Sequence, residues 1–235
     1  PQITDIIHSM PLTNIKIYNE DCISGLSKLS EDTISLCITS PPYKDEDNFS
    51  ASLIKDTFTQ VFRVLKNNSL LFLNFGHLAG FKSRPFEVAQ LAQTAGFTWQ
   101  ETFVWVKNHY KPIQGNRRVN NLTEFIFMFS KGDMPELNRL SVGVKYKDKS
   151  NVNRFAGGRD LKCRGNVWRI PYDTIQDKRQ KLHNDRFPLG LPENCIKLSG
   201  VKKGLVVFDP FAGSGTTGVA ARSCGIKFIL IEKNR

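Results

Sequence analysis

Two short segments of this chain carry residues whose types and spacing could do chemistry. In the first, the apolar run Val206, Val207 and Phe208 enters Asp209, Pro210, Phe211, Ala212, Gly213, Ser214, Gly215, Thr216 and Thr217. A strand running into glycines and then a helix gives a turn whose backbone can approach a ligand closely. The helix N-terminus adds free N–H groups and positive potential. A P-loop needs a lysine after the glycines, and none is there. Gly213, Gly215 and Gly218 do spell GxGxxG, and Glu232 closes the next apolar run, where it could hold ribose hydroxyls. Only three residues follow Glu232, so no second mononucleotide half comes after this one in the chain. The second segment is Ser40, Pro41, Pro42 and Tyr43, directly after the apolar run 34–39. Alone it reads as a rigid turn or a polyproline ligand. At the carboxyl end of a strand, where open α/β sheets bind ligands, it offers a hydroxyl, a carbonyl without a competing N–H, and an aromatic ring.

The elements that position these segments follow from periodicity. Short apolar runs predict strands over 15–19, 34–39, 70–75, 102–107, 124–130, 205–209 and 227–232. Helical spacing of Leu53, Ile54, Phe58, Val61, Phe62 and Leu65 predicts a helix over 53–65. Phe86, Val88, Ala89, Leu91 and Ala92 predict another over 84–94, stopped at Gly96, and a third runs over 215–224 to Gly225. Strands alternating with helices imply a mostly parallel sheet covered on both faces. Residues 132–186 break the rhythm: Lys, Arg, Asn and Gly dominate, which predicts an insertion on the rim.

Charge is segregated in the same region. Residues 107–186 hold 18 basic and 8 acidic side chains, while the other 155 residues hold 15 and 14. Nearly all of the +11 net charge therefore sits in one third of the chain, as a polyanion-binding surface would require. With 40% hydrophobic residues the chain can bury a core, and no apolar run is long enough for a transmembrane helix. The first ten residues lack the pattern of a secretory signal. Cys22, Cys37, Cys163, Cys195 and Cys224 are odd in number, scattered and without a CxxC pair, which excludes a zinc ribbon and favours a reducing, intracellular setting. No metal site is expected.

The run from Asp209 to Thr217 closely resembles the DPFxGSGTT loop that binds S-adenosylmethionine (AdoMet) in amino-group DNA methyltransferases. Ser40 to Tyr43 resembles the [DNS]PP[YFW] catalytic motif of the same enzymes. The catalytic motif comes first, the basic insertion second and the AdoMet loop last, an order similar to that of the β group, a circular permutation of the usual one. Asp21 and Cys22 resemble the strand-end acid region that meets the adenine of the cofactor. Looser matches run through residues 63–75, 105–107, 121–125 and 165–191. At His183 the chain departs from the family's His-x-Ala-x-Phe-Pro, so that histidine reads as structural sooner than catalytic and no role is placed on it.

The resemblance implies a Rossmann-like, seven-stranded, mostly parallel sheet flanked by helices, the class I AdoMet-dependent methyltransferase fold. It divides the chain into a first catalytic part (1–131), a target-recognition insertion (132–181) and an AdoMet-binding part (182–235). It implies AdoMet as cofactor, held by Asp21, Cys22, residues 209–217 and Glu232. Catalysis falls to Ser40, Pro41, Pro42 and Tyr43, the last stacking on a base flipped out of duplex DNA. An exocyclic amine is a poor nucleophile, and acceptors at Ser40 and the Pro41 carbonyl would draw on its protons. Ring-carbon methylation would need a nucleophilic cysteine in a Pro-Cys motif, which is absent. Serine at the first motif position resembles the cytosine-N4 members, adenine N6 being the alternative; a hydroxyl could also donate to cytosine N3. Lys145, Lys147, Lys149, Arg154, Arg159, Lys162 and Arg164, interleaved with aromatics including Trp168, would contact DNA. The implied setting is the cytoplasm, for a bacterial or phage-encoded enzyme, with a cognate restriction endonuclease system as companion. A nicotinamide-dependent dehydrogenase would leave Ser40–Tyr43 and the basic third unexplained; a non-catalytic DNA-binding relative would leave both motifs without use.

Overall fold

The computed structural model describes residues 15–43, 50–77, 81–109, 117, 119–172 and 187–234. His183 lies outside them. Eight strands are present among them: β1 (Ile15–Tyr18), β2 (Ile34–Thr39), β3 (Leu65–Gly76), β4 (Thr98–Val106), β5 (Thr123–Lys131), β6 (Val167–Arg169), β7 (Val206–Asp209) and β8 (Lys227–Ile231). Six helices join them: α1 (Cys22–Ser27), α2 (Ala51–Val64), α3 (Arg84–Thr94), α4 (Ser150–Ala156), α5 (Gly190–Ser199) and α6 (Thr216–Ser223). The strands form one sheet in the order β1-β8-β7-β2-β3-β5-β4-β6. All neighbours are parallel except β5, which runs against both β3 and β4. The sheet is therefore mostly parallel, as expected, with one strand more than the seven anticipated.

Central strands are apolar on both faces because helices cover both. All six residues of β2 are buried, as parallel strands in a doubly covered sheet must be. Leu36, Ile38, Leu70 and Phe72 pack on one side with Leu191, Cys195 and Ile196 of α5 and Ala220 and Ala221 of α6. Cys37, Leu71, Leu73 and Phe75 pack on the other with Ile54, Phe58 and Val61 of α2 and Val88 and Ala89 of α3. Local signals place the helix starts. Ser50 caps α2 by accepting from Leu53 N (3.3 Å), and α3 carries Pro85 in its first turn.

The extra strand comes from the basic third. Residues 167–169 pair with Val104, Trp105 and Val106 of β4 and close the far edge of the sheet. Trp168 is thereby fully buried, 4.6 Å from the ring of Phe103. It is a core residue and does not belong among the aromatics of a DNA-facing surface. Among the described residues no helix is long and apolar enough to cross a membrane.

Candidate active site

β1, β8, β7 and β2 are adjacent and parallel, so their carboxyl ends lie side by side. Asp21 and Cys22 follow β1, Glu232 follows β8, Asp209 ends β7, and Ser40 follows β2. Residues far apart in the chain are thus brought to one edge, where an open α/β sheet binds its ligands.

Asp209 is the fastener of this edge. Its Oδ1 accepts from Thr39 Oγ1 (2.8 Å) and Phe211 N (3.0 Å), and its Oδ2 accepts from Thr217 Oγ1 (2.7 Å). One carboxylate therefore ties the end of β2, the turn and the first turn of α6 together. Burial, opposed by these hydrogen bonds, pushes its carboxyl up to about 6. Thr39, which the sequence did not single out, is the residue through which the two motifs touch.

The turn itself depends on glycine. Gly213 and Gly215 have φ of 51° and 79°, a region that favours glycine. A Cβ built on Gly213 would meet nothing within 4 Å, so the turn leaves open space beside it. Glu232 Oε2 accepts from Gly213 N (2.7 Å) and Oε1 from Asn234 N (2.9 Å). Each oxygen has a second lone pair for a ligand hydroxyl. Asn19 Nδ2 donates to the carbonyls of Glu232 (3.1 Å) and Lys233 (3.2 Å), fixing β1 to this corner. The open glycine turn, the helix start and the half-buried carboxylate fit a nucleoside-type methyl donor such as AdoMet. Asp21 stands at the same edge but is engaged as the cap of α1, accepting from Ser24 N (3.0 Å) and Ser24 Oγ (2.6 Å). These bonds hold its carboxyl below the usual range. The Cys22 thiol turns inward to Thr57 Oγ1 (3.3 Å), and burial pushes it up.

Ser40 to Tyr43 folds back on the sheet. Pro41 is buried, while Ser40, Pro42 and Tyr43 are half-buried. Ser40 Oγ donates to Tyr43 Oη (3.0 Å), which faces Asn74 Oδ1 (3.2 Å) and Glu124 Oε2 (3.3 Å). The Tyr43 ring lies 4.3 Å from that of Phe75. Burial, reinforced by the Glu124 carboxylate, pushes the phenol well above its ordinary value, so it stays a donor. With its own proton on Tyr43, Ser40 presents its lone pairs; donation to a ring nitrogen would require breaking that bond. Asn74 and Glu124 were not singled out from sequence, although polar residues inside apolar strand runs were the available signal.

The basic residues fall into three groups. Lys145, Lys147, Arg159 and Lys162 are exposed, the last 5.4 Å over the Tyr146 ring. Lys149 is exposed but paired with Asp160 (2.6 Å), and exposed Arg154 has a partner within the protein. Arg164 is half-buried, with its Nε shielded from solvent. An isolated bridge between Val144 and Lys162 and the short helix α4 organise this segment. It is anchored to α5 by Asn138 N on the Leu198 carbonyl (2.8 Å) and Ser141 Oγ on the Lys197 carbonyl (2.7 Å).

The chain is similar to known proteins over most of its length. The orphan methyltransferase M.BamHII of Bacillus amyloliquefaciens is 29% identical, over 85% of this chain and 84% of its own. The type II methyltransferase M.SmaI of Serratia marcescens is 26% identical, over 95% and 88%. Among solved structures, the cytosine-N4-specific PvuII DNA methyltransferase superposes with a TM-score of 0.72 at 24% identity, covering 94% of this chain and 82% of that one. M1.HpyAVI, in a structure titled as its SAM complex, gives a TM-score of 0.62 at 24% identity, covering 94% of each chain. These structures share the fold described above. The profile described as DNA methylase, of the N6/N4 methyltransferases, matches residues 34–235. With both motifs inside that match and its sheet edge built around them, the chain belongs to the N6/N4 DNA methylase family.

Proposed function

We propose that this DNA methyltransferase transfers a methyl group from AdoMet to the exocyclic N4 amine of cytosine in duplex DNA, as the modifying member of a restriction-modification system. The observation that carries the reading is the Thr39–Asp209 hydrogen bond of 2.8 Å, which joins the end of the strand bearing Ser40 to the glycine turn. A base held at Ser40 would then lie next to a donor held at residues 209–217 and Glu232. AdoMet, when bound, supplies the methyl group from a sulfonium, already a good leaving group. The protein's share is positioning. Ser40 Oγ and the Pro41 carbonyl accept hydrogen bonds from the amine and draw its lone pair out of the ring. Tyr43 stacks on the flipped base with the face turned away from Phe75. No covalent enzyme intermediate is needed; Cys37 and Cys195 are fully buried, and burial pushes both thiols well up, away from nucleophilic use.

The choice of cytosine rests on serine at the motif's first position. It is a resemblance to the N4 members, and adenine N6 is the second reading. Nucleoside mass spectrometry of duplex DNA treated with enzyme and AdoMet decides between them. N4-methylcytosine is expected; N6-methyladenine alone would sink the cytosine choice, and 5-methylcytosine the amino mechanism. Ser40→Ala should lose turnover while AdoMet affinity, measured by calorimetry, stays nearly intact.

A further inference from the structure

Beneath the catalytic motif lies a set of buried polar side chains that methyl transfer, as proposed above, leaves without a task. Glu124, the second residue of β5, is 7% exposed, and Asn74 of β3 is 2% exposed. A carboxylate in such a place is costly unless it is paired. Lys107, just past β4, pairs with it, Nζ lying 2.5 Å from Oε1. That ammonium is itself boxed in, 5.4 Å over the ring of Trp105 and 5.6 Å over that of Tyr172. Lys107 therefore serves the interior, not the basic surface to which its charge was assigned from sequence.

The other carboxylate oxygen faces the Tyr43 hydroxyl at 3.3 Å. Asn74 Nδ2 donates to the Phe125 carbonyl (3.0 Å), which turns Oδ1 towards the same hydroxyl as an acceptor. A phenol has one proton, and here it faces two acceptor oxygens that have none to give back. The proton must point at them, leaving the lone pairs of Tyr43 for Ser40. Ser40 then donates to Tyr43 and turns only lone pairs outward. Space is kept for this arrangement: a Cβ on Gly76 would lie 3.0 Å from Tyr43 Cε2 and 3.1 Å from Glu124 Cδ.

We propose that the Glu124–Lys107 ion pair, acting through Tyr43, is the positioning device that holds Ser40 as a hydrogen-bond acceptor for the target amine. The proposal rests on the catalytic role given above to Ser40. Without the carboxylate, Asn74 Oδ1 alone competes for the Tyr43 proton, which can then turn to Ser40, and Ser40 would meet the amine as a competing donor.

The test is single-turnover methylation of duplex DNA at saturating AdoMet, with calorimetric AdoMet affinity measured alongside. Glu124→Gln should slow the methyl-transfer step roughly 10- to 100-fold with AdoMet affinity kept, the size expected for one charge-assisted hydrogen bond. In a Tyr43→Phe background the same substitution should add nothing, because the link through which it acts is gone. Should Glu124→Gln fold poorly, Glu124→Met with Lys107→Met replaces the buried pair by apolar groups, a change that folds tolerate well. That double variant should show the same slowing. An unchanged rate in either variant, or a loss that multiplies with that of Tyr43→Phe, overturns the proposal. Ser40→Ala separates the two levels: if it retains the wild-type rate, the catalytic role of Ser40 itself is wrong.

Discussion

Glu232 holds two backbone N–H groups with one carboxylate, and in the proposed complex it also accepts from the ribose of AdoMet. Glu232→Ala removes both functions. Losing a charge-assisted bond to the ribose should weaken AdoMet binding roughly 10- to 150-fold. Glu232→Gln keeps an acceptor for Gly213 N and should lose less. Calorimetric titration of both variants checks this, and equal, wild-type affinities would remove Glu232 from the cofactor site. Asp209 acts differently, because its carboxyl is consumed inside the protein. Its folded pKa of about 6 lies above the reference value of 3.8. Between those values the folded state binds a proton that the unfolded chain does not, so this group destabilises the fold as pH rises through the window. The full effect is roughly 3 kcal/mol. Relative to Asp209→Asn, the wild type should therefore gain stability as pH falls from 7 to 4 in urea denaturation. Parallel pH curves would contradict the assignment.

Elements meet where small residues permit it. A Cβ on Gly218 of α6 would lie 2.8 Å from Leu230 Cδ1 and 2.9 Å from Phe228 Cε2. Gly218→Ala should thus push α6 off β8 and cost about 1–3 kcal/mol, read as a lowered denaturation midpoint. The third glycine of the GxGxxG spacing serves packing, so that pattern described the turn correctly without requiring a dinucleotide. The long apolar strands and the helices α2, α3 and α6 were legible in the sequence because their periodicity is carried by many residues. β6 was not: three residues with one buried side chain, Trp168, are too few to show a period. α5 was missed as an element, since Gly190 and Pro192 in its first turn read as punctuation. Within the site, Asp209, Glu232 and Ser40 sit in or beside local motifs and could be read directly. Asn74 and Glu124 come from two strands and Lys107 from just past a third, and no spacing in the chain announces their meeting.

At the scale of the whole molecule, charge and chemistry occupy different parts of one sheet. The cofactor edge lies among β1, β8, β7 and β2, and the exposed lysines follow β5 on the way to the opposite rim at β6. Among the described residues, Lys145, Lys147 and Lys162 are the exposed lysines there without a carboxylate salt bridge, whereas Lys149 is matched by Asp160. Neutralising those three should weaken binding to all duplexes alike and lower the salt slope by about one for each phosphate left without its lysine. Lys149→Ala alone should change the slope less. A wild-type slope in the triple variant would place the DNA path elsewhere. The strand order has a consequence for synthesis. Among the described residues β1 joins the sheet only through β8, the last strand described, which also carries Glu232 at its end. On a ribosome adding about 5–20 residues per second, the β1 segment waits roughly ten to forty seconds for β8. The nascent chain can shape the strands around Ser40 and the basic segment long before it has a cofactor pocket. In the proposed site the cofactor edge is complete only once β8 lies between β1 and β7.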